Sequence, residues 1–205
     1  MDGYEYEVFI SYKRASNERS DGGSDWIREV VLPPLQEILT STSYDDRMFV
    51  DEDIQKGARW PAVLRNKLTR SRVLVAFLSA AYFKSPWCRR ELALMLKREE
   101  HEKIVGQGKN YGLVIPIWIA DGDSFPTPVK PINCFDFNQF YLVCRSTDSK
   151  SYEELIQELK KVVNSICASL EKAPDWRSEW NHFEEKDYFN KLRPKRSFQR
   201  NNPRS

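Results

Sequence analysis

Trp87 and Glu91 have the residue types and spacing most suggestive of chemistry. They lie four residues apart in Trp87-Cys88-Arg89-Arg90-Glu91, so on a helix an aromatic plane and a carboxylate share one face. That pair suits a flat, cationic or sugar-bearing ligand. It equally suits a tryptophan packed on a helix start with a surface glutamate beside it. Other site chemistries find little material. His101 and His182 are the two histidines, too few for a metal cluster or a Ser-His-Asp triad. The four cysteines, Cys88, Cys134, Cys144 and Cys167, form no C-x-x-C pair, which excludes zinc-ribbon and thioredoxin-like readings and leaves free thiols of a reducing compartment. No G-x-G-x-x-G or Walker loop occurs, and Gly106-Gln107-Gly108-Lys109 has the wrong spacing for one. Asp51-Glu52-Asp53 hints at calcium, but Gln55 and Gly57 break the EF-hand order and favour a solvated acidic turn.

The elements that must position Trp87 and Glu91 follow from hydrophobic patterning. Tyr6 to Tyr12 reads as a strand, followed by a polar loop over Lys13 to Gly23. Ser24 is placed to cap a helix carrying Trp26, Ile27, Val30, Val31, Leu35, Ile38 and Leu39, and Pro33-Pro34 should kink or divide it. Met48-Phe49-Val50 is a second short strand, followed by a polar loop over Asp51 to Arg59. Pro61 suits the first turn of a helix with Val63, Leu64 and Leu68. Val73 to Leu78 is a continuous apolar run, as expected of a strand covered on both faces. Ser85-Pro86 reads as the cap and first residue of the next helix, which carries Trp87 and Glu91 near its start. Further strands are expected at Leu113 to Ile119, where Pro116 either counts against the strand or sits where no ladder donor is needed, and at Asn133 to Phe137. A long amphipathic helix over Tyr152 to Leu170 completes the pattern.

Alternating apolar strands and helices imply an α/β fold with helices on both faces of a parallel sheet. Such sheets bind ligands outside the carboxyl ends of their strands. Three segments should line that edge: Ser11 to Arg14, Asp51 onward, and Ser79 to Trp87.

The chain has 205 residues, 40% hydrophobic and 30% charged, enough for one substantial core plus an appendage. Its net charge of +2 is unevenly placed: residues 191–205 carry six cations and no acid, leaving −4 on the rest. Positive charge confined to one end does not make a general nucleic-acid binder, and no specific nucleic-acid partner is expected. No run approaches the ~20 apolar residues of a transmembrane helix, and Met1-Asp2-Gly3-Tyr4-Glu5 lacks the start of a secretory signal. A cytoplasmic location is expected. After Pro174 the helical periodicity gives way to Trp176, Trp180, Phe183, Tyr188 and Phe189 among charges. We divide the chain into a domain over 1–172 and an aromatic, basic extension over 173–205, partly disordered, whose aromatics dock on the domain or on a partner.

The ordered motifs resemble the TIR (Toll/interleukin-1 receptor) domain family. Phe9-Ile10-Ser11-Tyr12-Lys13-Arg14 is similar to its first box. Phe49-Val50-Asp51-Glu52-Asp53-Ile54-Gln55-Lys56-Gly57 is similar to its second strand and BB loop. Ser85-Pro86-Trp87-Cys88-Arg89-Arg90-Glu91-Leu92 resembles its third box, and Val114-Ile115-Pro116-Ile117-Trp118 its fourth strand. The resemblance covers residues 5–170 and implies a flavodoxin-like, three-layer fold with a central parallel sheet of about five strands.

Some members of that family are scaffolds that bind other TIR domains; others cleave the nicotinamide–ribose bond of NAD+. The spacing of Trp87 and Glu91 matches the enzymatic class. The resemblance then implies Glu91 as the catalytic carboxylate and Trp87 as an aromatic wall. Tyr12, Lys13, Arg14, Phe49 and Trp118 would complete the substrate site, although Lys13 stands where some family enzymes carry arginine. It implies neither metal nor cofactor, NAD+ being the substrate. The products would be nicotinamide with ADP-ribose or a cyclic ADP-ribose isomer. Self-association, or association with other TIR domains, would run through the BB loop, with Asp51, Ile54, Gly57 and Trp60. A short chain of this kind is similar to the stand-alone bacterial TIR proteins of anti-phage defence, including the Thoeris type, where a downstream effector senses the nucleotide product. The alternatives are a non-catalytic adaptor acting through the BB loop, and a related sugar–base transferase acting on nucleosides.

Overall fold

The computed structural model describes residues 3–14, 23–45, 47–50, 62–104, 112–121, 125–126, 129, 134–141 and 150–193. Five parallel strands form one sheet: β1 (Tyr6–Ser11), β2 (Met48–Val50), β3 (Ser71–Leu78), β4 (Val114–Trp118) and β5 (Phe135–Asp136), in the order β2-β1-β3-β4-β5. This is the expected α/β, flavodoxin-like arrangement. Successive side chains on a strand point to opposite faces, so each central strand feeds two cores. Val8, Ile10, Val73, Val75 and Phe77 enter one; Phe9, Leu74, Ala76 and Leu78 enter the other.

Helices cover both faces. The first core is closed by α1 (Gly23–Trp26), a π-helical turn (Ile27–Val31), α2 (Leu32–Thr40) and α6 (Lys150–Leu170). The second is closed by α3 (Ala62–Thr69), α4 (Ala80–Lys84) and α5 (Pro86–His101). Pro33 and Pro34 lie in the first turn of α2, where their missing donors cost least, and the π turn just before them divides the helix. On α3, Leu64 and Leu68 are buried, whereas Val63 is 67% exposed and does not belong to the core stripe. Ser24's side chain, Pro61 and Cys144 lie outside the described residues.

Pro116 sits inside the sheet without breaking it. Leu113 O accepts from Leu74 N and Ile119 N donates to Leu78 O, so odd-numbered residues of β4 bond towards β3. Pro116 therefore turns its nitrogen to the β5 side, where, among the described residues, pairing begins at Ile117 with Phe135. No ladder donor is needed there.

The segment Ser79 to Trp87, expected at the carboxyl edge, contains one element that the patterning does not show: Ala80–Lys84 is a short helix capped by Ser79, whose hydroxyl accepts from Tyr82 N at 3.2 Å. It buries Tyr82 and Phe83 against the second core. The extension also docks on the domain. A 3-10 turn (Ser178–His182) and α7 (Lys186–Lys191) lie over α3 and α5, with Trp180 and Leu192 fully buried. Arg65 of α3 holds this segment, donating to Asn181 O at 2.8 Å, to Phe183 O, and to Glu185 Oε2 at 3.0 Å. Residues 194–205 lie outside the described residues.

Candidate active site

The strand order reverses between β1 and β3: the chain leaves β1 for β2 on one side and returns through β3 on the other. Carboxyl ends of strands flanking such a point form a crevice. Here it is a cavity of about 390 Å³. Tyr12, Lys13 and Arg14, directly after β1, form one wall. Lys84 and Ser85 at the end of α4, then Pro86, Trp87, Cys88 and Glu91 of α5, form the other.

Local sequence sets the start of α5. The Ser85 hydroxyl accepts from Cys88 N at 3.4 Å, and Pro86 occupies the first turn, where its missing donor costs nothing. Trp87 and Glu91 therefore fall on one face, as their spacing predicts, and both line the cavity. Glu91 is only 5% exposed, which excludes the reading as a surface glutamate.

A chain of hydroxyls stands behind this carboxylate. Ser11 Oγ donates to Glu91 Oε2 at 2.5 Å. Ser11 has one hydroxyl proton, so Tyr82 Oη must donate to Ser11 Oγ across the 2.9 Å between them. Burial, then the charges around it including Glu91, raise the Tyr82 phenol well above its ordinary value, so it stays protonated. Cys88 is a buried thiol pushed up by desolvation and by the Glu91 charge; it is a neutral donor, 3.5 Å from Tyr12 O, and no nucleophile. Among the described lining residues Glu91 is the single carboxylate, in a cavity it shares with three cations, Lys13, Arg14 and Lys84. A ligand carrying both anionic groups and a cationic centre matches that charge distribution.

Of the residues expected at the site, Tyr12, Lys13, Arg14, Trp87 and Glu91 share this cavity, and two do not line it. Phe49 packs its ring 5.2 Å from Tyr6 and 5.1 Å from Phe9, in the layer beneath α3. Trp118, at the end of β4, packs 6.4 Å from Phe125. Both are held by aromatic neighbours one strand away from the β1–β3 crevice. Asp51, Ile54, Gly57 and Trp60 lie outside the described residues. Sequence reasoning missed Tyr82 and Lys84, because the five residues of α4 are too few to show a helical period.

One trio among the described residues could in principle hold a metal: His101, Glu102 and Glu179 bring ligand atoms within 4.8 Å of one another. Arg177 lies 3.6 Å from Glu102 and 3.7 Å from Glu179, supplying the positive charge itself. The trio sits at the far end of α5 from the cavity and takes no part in the site.

Comparison with known proteins finds relatives of one kind. The disease resistance-like protein CSA1 of Arabidopsis thaliana is 32% identical over 114 residues, which make up 56% of this chain and 8% of that protein. The TIR domain of the Toll-related receptor TRR-2 from Hydra magnipapillata is similar over 76% of this chain and 98% of its own, at 15% identity and a TM-score of 0.46. The TIR domains of the activated Roq1 resistosome, which directly recognizes the pathogen effector XopQ, match 78% of this chain and 84% of their own, at 21% identity and a TM-score of 0.41. The family model for the TIR domain matches residues 8–156, nearly three quarters of the sequence and every described residue that lines the cavity, and the chain belongs to the TIR domain family.

Proposed function

We propose that this protein cleaves the nicotinamide–ribose bond of NAD+, with Glu91 as the catalytic carboxylate. The observation that carries the reading is the buried Glu91 in the β1–β3 crevice, with Trp87 one helical turn away and three cations lining the same cavity. Glycosidases generally use two carboxyl groups, one of them to protonate the leaving oxygen. NAD+ needs no such acid, because its cationic pyridinium departs as neutral nicotinamide. What remains is positive charge developing on the ribose, which a fixed carboxylate stabilises. One carboxylate and no histidine are therefore sufficient.

In this reading Trp87 is a flat wall for the nicotinamide ring, and Lys13, Arg14 and Lys84 receive the pyrophosphate. Capture of the ribosyl centre by water gives ADP-ribose and a proton. Capture by an atom of the same molecule gives a cyclic isomer. The protein needs no cofactor. It acts in the cytoplasm as an immune signalling enzyme, self-associating through the segment with Asp51, Ile54, Gly57 and Trp60. A separate effector, as in anti-phage defence, senses the product. The disease resistance-like relative supports the immune setting.

The test is chromatography of products after incubation with NAD+, with wild type beside Glu91→Ala. Release of nicotinamide that requires Glu91 supports the enzyme, and the companion product separates hydrolase from cyclase. Absence of turnover, together with partner binding abolished by Gly57 or Ile54 substitution, would instead establish the adaptor reading.

A further inference from the structure

We propose that Ser11, backed by Tyr82, is a positioning residue that holds the Glu91 carboxylate ionised and in one orientation. The inference rests on the reading of Glu91 as the catalytic group. Glu91 is nearly sealed from solvent, and burial alone favours the neutral form of a carboxylic acid. A neutral Glu91 could not stabilise positive charge on a ribose. Ser11 Oγ offsets that cost by donating to Oε2 at 2.5 Å, a hydrogen bond to a charged acceptor and therefore among the stronger kinds. Tyr82 Oη fixes the direction of the donation, because its own proton occupies the acceptor side of Ser11 Oγ.

The supports of this chain are rigid. Ser11 is the last residue of β1, paired with Ala76 of β3 and 1% exposed. Tyr82 is fully buried on α4, whose cap Ser79 bonds the Tyr82 amide. The strand end, the short helix and α5 thus meet at one hydroxyl, Ser11 Oγ. A serine hydroxyl held in this way has lost the freedom to turn elsewhere, so little reorganisation is needed when charge develops in the cavity.

Other titratable groups also face this carboxylate. Lys13 and Arg14 from the segment after β1, Lys84 of α4 and the Cys88 thiol of α5 line the same cavity, with Tyr82 behind Ser11. The three cations favour the ionised form as well, and none of them changes in the variants proposed below. A difference between variants therefore reports the hydroxyl chain.

Two measurements test the assignment, one of them independent of turnover. The first follows the Glu91 side-chain carboxyl by carbon NMR on uniformly labelled full-length protein, with the resonance identified by its loss in Glu91→Gln. Ser11→Ala should raise the titration midpoint of Glu91 by about one pH unit, the value of one charge-assisted hydrogen bond. Tyr82→Phe should raise it by less, and Ser11→Thr should restore it. The second is the pH profile of nicotinamide release from NAD+. The acid limb of kcat should move upward by the same interval in Ser11→Ala, with KM changed less than twofold. An unmoved midpoint in both Ser11→Ala and Tyr82→Phe would overturn the positioning role, whatever the activity. A moved midpoint in a protein that releases no nicotinamide would leave the hydroxyl chain standing and overturn the proposed reaction instead. Should Ser11→Ala fail to fold, Tyr82→Phe, which keeps the ring, decides alone.

Discussion

The guanidinium of Arg98 lies 3.8 Å from the centre of the Trp180 ring, joining α5 to the extension. Arg98 Nη1 donates to Ser71 O at 2.8 Å, and Nη2 bonds Tyr4 Oη, which in turn donates to Pro174 O at 2.6 Å. Burial brings Arg98 down to about 10, so it is still charged at neutral pH, and it pushes Tyr4 up to about 12. The start of the chain, β3, α5 and the extension are thereby tied at one buried cation. The helix that carries Glu91 is thus braced about two turns further along, at the end away from the cavity.

Trp180→Ala should therefore destabilise the whole domain by about 3–5 kcal/mol, the usual cost of removing a buried tryptophan. The indole also donates from Nε1 to Glu102 Oε1 at 3.3 Å, and its loss removes the nearer of the two rings over which Arg98 lies, leaving Tyr4 at 5.2 Å. Urea unfolding of the full chain measures this. A loss below about 1 kcal/mol would mean that the extension rests on the domain without supporting it.

Glu99 gives stability a dependence on pH. Its buried carboxyl accepts from Leu113 N at 2.5 Å and Val114 N at 2.9 Å, which lowers its pKa, but desolvation prevails and pushes it up to about 7. The native state then binds a proton that the unfolded chain has released, so stability falls as pH rises from about 4.5 to about 7. The loss attributable to this group is about 3 kcal/mol. Urea unfolding of wild type and Glu99→Gln at pH 5 and pH 8 should show the variant gaining on wild type at the higher pH. Parallel behaviour of the two proteins would refute the assignment.

Gly112 lets Glu99 reach the β4 backbone. A Cβ at Gly112 would run into Glu99 Oε1, which is tethered by two amides and cannot swing away cheaply. Gly112→Ala should cost about 1–3 kcal/mol, as expected of overpacking. In the Glu99→Ala background the penalty should largely vanish, and a double-mutant cycle by thermal unfolding checks the coupling. Additive effects would show that the glycine serves another purpose.

Much of this architecture is legible in sequence because the information is local. Continuous apolar runs mark β3 and β4 as strands covered on both faces. Trp87 and Glu91 share a face because they lie four apart after a Ser-Pro helix start. The contacts that complete the site are not local. Ser11 meets Glu91 across 80 positions and Tyr82 across 71, and neither separation leaves a periodic trace. Helix α4 is hidden for another reason: in Ala80-Ala81-Tyr82-Phe83-Lys84 the apolar residues are adjacent, and the Ser79 cap is its only local signal. Phe49 and Trp118 follow their strands into packing layers that only the sheet order defines.

The central claim is that Glu91 carries the chemistry, and one measurement addresses it directly. Full-length protein at high concentration is incubated with NAD+, and nicotinamide is followed by chromatography for wild type and Glu91→Gln. The glutamine keeps the size and the Ser11 contact but removes the charge. The account predicts release by wild type and a loss of at least a hundredfold in the variant, about 2.7 kcal/mol of transition-state stabilisation, with unchanged thermal unfolding. Equal release by both proteins, or none by wild type, would contradict it.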